Sequence, residues 1–440
     1  MQAGGTQAAV DRTIRSADSA ALEAARDRAL ATQLVYGVTK MRRALVWSLE
    51  RLLRQPFASL DQPVQAALLI GAFQLLYLKK IPAHSAVDES VELERRYGRA
   101  AAAGLVNAVL RRLSVEPALP AEPATGSDIR GFADWASVPD WMARHWIARF
   151  GFERARQIAT GVNAQARRAL RVNVAHTTVA AIKATLAHNG VVTRDSRYGI
   201  QNCLAFERGA NVGRELSALL REGTVTLQSE ESQLAVALLD LPADGSVLDV
   251  CAGRGVKAGA IAERLTADAA PVELFALDDD QRKLGALAQE FKRLRLRFPI
   301  TVCADARRPF PDPVPKGAAA VLVDAPCTGI GTVGRHAEMR WQKSEDDGTR
   351  MARTQLAILM AAAQSVAEGG TLLYVVCSTL PAENEGTVEA FLRATSGWAW
   401  APLAVSAPAG TTQAAGNGVL TIPGIDGADG FFYAKLVRSP

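Results

Sequence analysis

The sequence predicts a multidomain chain: an all-α N-terminal helical bundle, a small α+β connector, and an α/β domain on a mostly parallel sheet. Three observations carry this. The chain has 440 residues, too many for one core of ordinary size. Its first quarter spaces apolar residues three and four apart, the helical period. From about residue 228 apolar runs alternate with helical stretches, as strands covered on both faces do. An apolar share of 49% against 22% charged residues places the chain among folded rather than disordered proteins.

The bundle is expected over residues 20–115. ALEAARDRALATQLVYGVTKMRRALVWSLERLL and VQAALLIGAFQLLYL carry the helical spacing, and AVDESVELERRYG and AAAGLVNAVLRRL complete about five helices. SVEPALPAEPATGSD, with three prolines, cannot continue a helix and reads as a linker over 116–135. The connector, 136–227, combines helical pieces at Trp141 to Phe150, Phe152 to Val162 and AAIKATLAHNG with short alternating segments, ALRVNVA, GVVTRDSRYG and GTVTLQ. The last domain, 228–440, opens with SVLDVCAG, VELFALDDD, ITVCADA, AAVLVDAPC and GTLLYVVCS as strands. Ligands of such sheets bind beyond the carboxyl ends of the strands.

Charge is concentrated rather than spread. Residues 21–116 hold 14 Lys/Arg against 9 Asp/Glu, an excess that equals the +5 of the whole chain. A basic module suits a nucleic-acid partner, because Lys and Arg displace counterions from phosphates; a solvated helical surface is the plainer alternative. No apolar run reaches the roughly 18 residues of a membrane span, and MQAGGTQAAVDRTIRSAD lacks the apolar stretch of a signal peptide, so a cytoplasmic protein with no membrane partner is expected. The five cysteines form no CxxC pair and no Cys/His cluster, so neither a metal site nor a disulfide framework is expected.

Candidate chemistry gathers just past the strands of the last domain. Gly253 and Gly255 allow a tight turn and close approach of a ligand before a helix, although tightness alone would also explain them. Of Asp278, Asp279 and Asp280, one is suited to a ribose diol and one to capping the next helix; Asp278 is expected to bind and a neighbour to cap. Asp305 follows the third strand and suits an adenine amino group. Cys327 and Cys377 each sit just past an apolar run, beside Asp324 and Pro326 and beside Ser378 and Thr379. Packing is the usual fate of one such cysteine, whereas two thiols brought to one sheet edge suggest catalysis.

These motifs resemble the RsmB (Sun/Fmu) family of ribosomal RNA cytosine-5 methyltransferases. DVCAGRGVK matches its cofactor loop, ALDDDQRKL its ribose strand, CADAR its adenine strand, VDAPCTGIGTVGRHAEMRW its proline-cysteine motif and GGTLLYVVCSTLPAENE its nucleophile motif. RDRALATQLVYGV, GAFQLLYLKKIPAHSAVDESVEL and GLVNAVLRRL look like the family's NusB-like RNA-binding domain. The resemblance implies a Rossmann-like methyltransferase domain that binds S-adenosyl-L-methionine through Cys251, Ala252, Gly253, Arg254, Gly255, Val256, Lys257, Asp278, Asp305 and Asp324. It implies Cys377 as nucleophile, Cys327 assisting product release and Asp324 acting at the cytosine ring nitrogen. A monomer acting on RNA, small-subunit ribosomal RNA first, is expected. The cofactor loop departs from the family's CAAPGGKT at Arg254, Val256 and Ala258, besides Gly253 for alanine, and PGIDGADGFF replaces the usual lead into the C-terminal motif. Two alternatives remain open at this level: an RNA-binding factor with a degenerate methyltransferase domain, and the same chemistry on transfer RNA.

Overall fold

In the computed structural model, which describes residues 25–207 and 213–440, two compact units form. One comprises Met1–Asn163 with Arg335–Gln342, the other Ala164–Gly334 with Lys343–Pro440. The expected start of the bundle at residue 20 lies outside the described residues.

The first unit opens with α1 (Ala25–Glu50), which is interrupted at Met41, then α2 (Gln62–Tyr77), α3 (Ala83–Tyr97) and α4 (Ala103–Val115). Prolines start two of them: Pro63 lies in the first turn of α2 and Pro82 at the cap of α3, where a missing N–H costs nothing. Leu45, Leu49, Leu68, Ala72, Val106 and Leu110 form their common core. Burying a leucine there contributes about 1.5–3 kcal/mol.

The segment read as linker is not wholly irregular. α5 (Ile129–Ala136) begins inside the segment read as linker, capped by the Asp128 carboxylate, which accepts the Gly131 N–H at 2.8 Å. Its apolar face is only Phe132, Ala133 and Ala136, too short to register as a period beside three prolines. α6 (Asp140–Phe150) and α7 (Phe152–Asn163) follow, and all three count with the first unit. Arg43 on α1 holds α5 and α6, donating to Asp134 and Asp140 at 2.6 Å each and to the Val138 carbonyl at 3.0 Å. Arg340 and Trp341, far along the chain, complete this unit: Arg340 donates to Asn163 Oδ1 at 2.7 Å and Trp341 to the Thr39 carbonyl, also at 2.7 Å.

The second unit holds two sheets. The smaller is fully antiparallel, in the order β2 (Thr193–Asp195), β3 (Cys203–Phe206), β1 (Ala169–Val172), β4 (Val225–Leu227), with α8 (Val179–His188) and α9 (Gly213–Glu222). Strand β3 has no sequence signal, since CLAF is four apolar residues without alternation; pairing on both sides makes it a strand. This sheet does not stand alone. Ala169, Cys203 and Ala205 share one apolar cluster with Ile261, Leu265 and Leu322 of the large domain.

The larger sheet runs β11 (Thr412–Ala415), β12 (Gly418–Thr421), β13 (Phe432–Arg438), β9 (Val366–Val376), β8 (Ala318–Asp324), β5 (Gly245–Val250), β6 (Val272–Asp278), β7 (Ile300–Cys303), with β10 (Trp398–Trp400) on β13. Strands β5 (Gly245–Val250), β6 (Val272–Asp278), β7 (Ile300–Cys303), β8 (Ala318–Asp324) and β9 (Val366–Val376) are parallel, at the five places predicted. Helices α11 (Val256–Ala267) and α12 (Gln281–Leu294) follow β5 and β6; α10 (Glu230–Ala237) precedes them, α14 (Glu345–Ala362) and α15 (Glu385–Ala394) come later, and α13 (Met339–Gln342), between β8 and α14 in the chain, belongs to the first unit. The chain order reverses between β5 and β8, and it is beyond the carboxyl ends at such a reversal that open α/β sheets bind ligands. Antiparallel strands β10 (Trp398–Trp400), β11 (Thr412–Ala415), β12 (Gly418–Thr421) and β13 (Phe432–Arg438) extend one edge. Among the described residues no helix is long and apolar enough to cross a membrane.

Candidate active site

The turn from β5 into α11 has left-handed backbone at Cys251, Gly253 and Gly255 (φ 64°, 58° and 81°). Gly255 is required on two counts: its φ disfavours any side chain, and a Cβ would stand 2.6 Å from Leu287 Cγ. Gly253 stands where the family loop has alanine, and the other three departures fall at positions without left-handed backbone. Arg254 is exposed, and Ala258 is buried inside α11. Val256 begins the helix, its carbonyl accepting from Arg171 at 2.7 Å. That guanidinium is fully buried and also pairs with Glu263 through two bonds, at 2.7 and 3.0 Å. The loop therefore keeps glycine where the backbone needs it.

Asp278 ends β6 and braces this loop. Its Oδ2 accepts the Gly253 N–H at 2.9 Å, while Oδ1 accepts the Asp280 N–H at 3.0 Å and Lys283 Nζ at 3.1 Å. Capping falls to Asp280, whose carboxylate accepts the Arg282 N–H at 2.8 Å. Of the three acids, Asp280 caps the helix, as expected of a neighbour of Asp278, while Asp278 turns its carboxylate toward the loop. Asp305, past β7, is gripped by Arg307 through Nε at 2.8 Å and Nη2 at 2.7 Å, which holds its carboxyl down at about 2.

At the ends of β8 and β9 the structure brings together what the sequence separates by 50 residues. Cys327 Sγ and Cys377 Sγ lie 3.3 Å apart, both partly accessible. The Cys377 sulfur, and then burial, push the Cys327 thiol well above its ordinary value. Asp324 accepts from Lys257 Nζ at 2.6 Å. Burial works against the Lys257 ammonium, but Asp324 outweighs it and leaves the group above its ordinary value. Phe431 covers the ammonium, its ring centre 5.9 Å away. Gly430 donates to the Gly331 carbonyl at 2.8 Å and Gly331 to that of Cys377 at 3.1 Å, so the altered C-terminal motif closes over the cysteine loops.

Three residues here escaped the sequence reading. Asp249, inside β5, is fully buried with no hydrogen-bond partner for either oxygen among the described residues. Burial, then the charge of Asp324, push its carboxyl up to about 8. One acid inside the apolar run SVLDV was the available signal. The others are Glu383, in the turn before α15, and Phe431, just before β13, where neither sequence carries a periodicity. A glycine cradle, a braced acid at the second strand end and an unpartnered buried acid beneath the turn fit a nucleoside cofactor with a charged tail.

Comparison with known proteins agrees. Residues 236–437 match the family model of the 16S rRNA methyltransferase RsmB/F, residues 3–114 the NusB family, and residues 138–213 the ferredoxin-like domain of RsmF/B-like methyltransferases. The chain is 33% identical to ribosomal RNA small subunit methyltransferase B of Pseudomonas putida, covering 94% of this chain and 91% of that one. It is 30% identical to the probable ribosomal RNA small subunit methyltransferase B of Bacillus subtilis, covering 83% and 80%. In fold it resembles the crystal structure of PH0851, with a TM-score of 0.79, 24% identity and coverage of 98% and 94%. The chain belongs to the RsmB/F family of 16S rRNA methyltransferases, enzymes that draw their methyl group from S-adenosylmethionine.

Proposed function

We propose that the chain methylates carbon 5 of a cytosine in small-subunit ribosomal RNA through a covalent adduct on Cys377, acting as a cytoplasmic monomer. The observation that carries this is the 3.3 Å approach of two partly accessible thiols at the sheet's carboxyl edge. Carbon 5 of cytosine is too weak a nucleophile to take a sulfonium methyl unaided. A thiolate that adds to carbon 6 pushes electron density onto carbon 5, and Cys377 fills that role. Asp324, beside cationic Lys257, holds a proton at the ring nitrogen and so makes the ring a better acceptor. When bound, S-adenosylmethionine supplies the electrophilic methyl. Release then requires that the carbon 5 proton pass to a base while the bond from sulfur to carbon 6 breaks. Cys327, kept protonated by its neighbour, assists by hydrogen-bonding the departing thiolate.

The cofactor is assigned to the turn at Cys251, Ala252, Gly253, Arg254, Gly255, Val256 and Lys257, with Asp278 at the ribose, Asp305 at the adenine and Asp324 near the methyl. Asp305 must share its carboxylate with Arg307 to do so. The helical bundle supplies RNA affinity.

The roles of the thiols are tested by opposite phenotypes. Cys377→Ala should be inactive and trap no RNA. Cys327→Ala should attack, methylate once and accumulate a protein–RNA adduct that survives denaturing electrophoresis. A slow-migrating band from Cys377→Ala, or none from Cys327→Ala beside an active wild type, would overturn the assignment.

A further inference from the structure

Beneath the two cysteines lies a carboxylate that the reaction as described does not use. Glu383, fully buried, sits between β9 and α15. Its Oε1 accepts the Thr328 N–H at 2.8 Å and Gln355 Nε2 at 3.0 Å. Its Oε2 accepts the hydroxyls of Thr328 and Ser378, each at 2.5 Å. Thr328 and Ser378 are the residues directly after Cys327 and Cys377. Gln355 also donates to the Pro326 carbonyl at 2.9 Å, on the other side of Cys327, and Tyr374 Oη donates to the Glu383 carbonyl at 2.7 Å. One carboxylate thus gathers donors from both cysteine loops.

Stability alone does not call for this arrangement. No cation pairs with Glu383 among the described residues, so its charge is balanced only by neutral donors, and a well-packed apolar residue commonly serves a core as well. What the carboxylate adds is geometry: two acceptors in one rigid plane, each engaged by the residue that follows a cysteine.

We propose that Glu383 is a positioning residue that fixes the separation of the Cys327 and Cys377 thiols by bonding the residue after each. The proposal rests on the reading that the two thiols act in turn, since Cys327 must reach the Cys377 sulfur while that sulfur is bonded to carbon 6. A misplacement of about 1 Å at a reacting centre costs up to roughly 100-fold in rate.

The test uses the full chain and reads the thiol separation directly. Diamide accepts two electrons and two protons from the thiols and becomes the hydrazine, leaving a Cys327–Cys377 disulfide that peptide mass spectrometry quantifies. Glu383→Gln preserves the network, because its amide oxygen accepts from Thr328 N–H and Gln355 while its NH2 donates to the two hydroxyls. Its coupling rate should stay within about twofold of wild type, whereas Glu383→Ala, with cofactor binding retained, should couple about tenfold more slowly. Coupling of Glu383→Ala at the wild-type rate overturns the proposal. Should that variant fail to bind cofactor or fold, Ser378→Ala decides, since it breaks one link only: slower coupling supports the proposal and an unchanged rate overturns it. With RNA present, Glu383→Ala should also raise the fraction trapped as adduct, and Glu383→Gln should restore it. If no variant, Cys327→Ala included, ever traps RNA while coupling rates follow the stated order, the thiol roles fail and the positioning role stands.

Discussion

Asp249 stands in an environment at odds with its charge. Its carboxyl is pushed up to about 8, first by burial and then by Asp324. A folded-state value above the unfolded one means that the protonated acid stabilises the fold at low pH. That contribution is lost as pH rises from the ordinary carboxyl range, near 4, to about 8. Wild type without cofactor should therefore lose stability relative to Asp249→Asn across this window, by at most about 1.4 kcal/mol per unit. Thermal melts of both proteins at pH 5 and pH 8 check this, and parallel behaviour would show that the acid is solvated after all. Asp278 makes a second prediction at this scale. Because it braces the Gly253 N–H and is the residue proposed to hold the ribose, Asp278→Ala should weaken S-adenosylmethionine by roughly 1.5–3 kcal/mol, measurable by equilibrium dialysis.

Among the elements, the turn from β5 into α11 is the one to which the proposed function assigns the cofactor. Left-handed backbone costs a side chain roughly 1–2 kcal/mol, and at Gly255 the added Cβ would also strike Leu287 on the neighbouring helix α12. Gly255→Ala should therefore separate α11 from α12, lower the melting temperature and weaken the cofactor. Arg254→Pro, which restores the family's residue at an exposed position, should leave the melting temperature nearly unchanged. Calorimetric titration with S-adenosylmethionine distinguishes the two, and equal affinity for both would remove the turn from the site. The strand ends and this turn were readable because each motif follows an apolar run. Strand β3 and helix α5 were not, being too short to show a period.

For the whole molecule, unit boundaries decide which truncation is informative. A chain starting near Asp128 would keep α5, α6 and α7 but lose α1, whose Arg43 binds Asp134 and Asp140. The cut that respects the units is at Ala164. A chain starting there should bind S-adenosylmethionine and lose affinity for structured RNA. Its salt dependence should be shallower, because it lacks the basic excess of residues 21–116. Filter binding at several salt concentrations checks this; equal slopes for the two chains would place the RNA-binding charge in the second unit. The cut also strips Arg335–Gln342 of its own unit, so lower solubility is expected, with Trp341 no longer bonded to Thr39.

The sequence by itself determined the parallel strands, the helical bundle, the acids at strand ends and the two cysteines, because each is written locally, as a period or as a polar residue ending an apolar run. It could not determine that Asp280 rather than Asp279 caps α12, that residues 335–342 complete the first unit, or that Glu383 joins both cysteine loops. Those depend on residues far apart in the chain meeting in space. Thr328 and Glu383 are 55 positions apart, and only the parallel pairing of β8 with β9 sets them within hydrogen-bonding distance. The same pairing brings Cys327 to Cys377, so the chemistry of the site is a property of strand order, which no local pattern encodes.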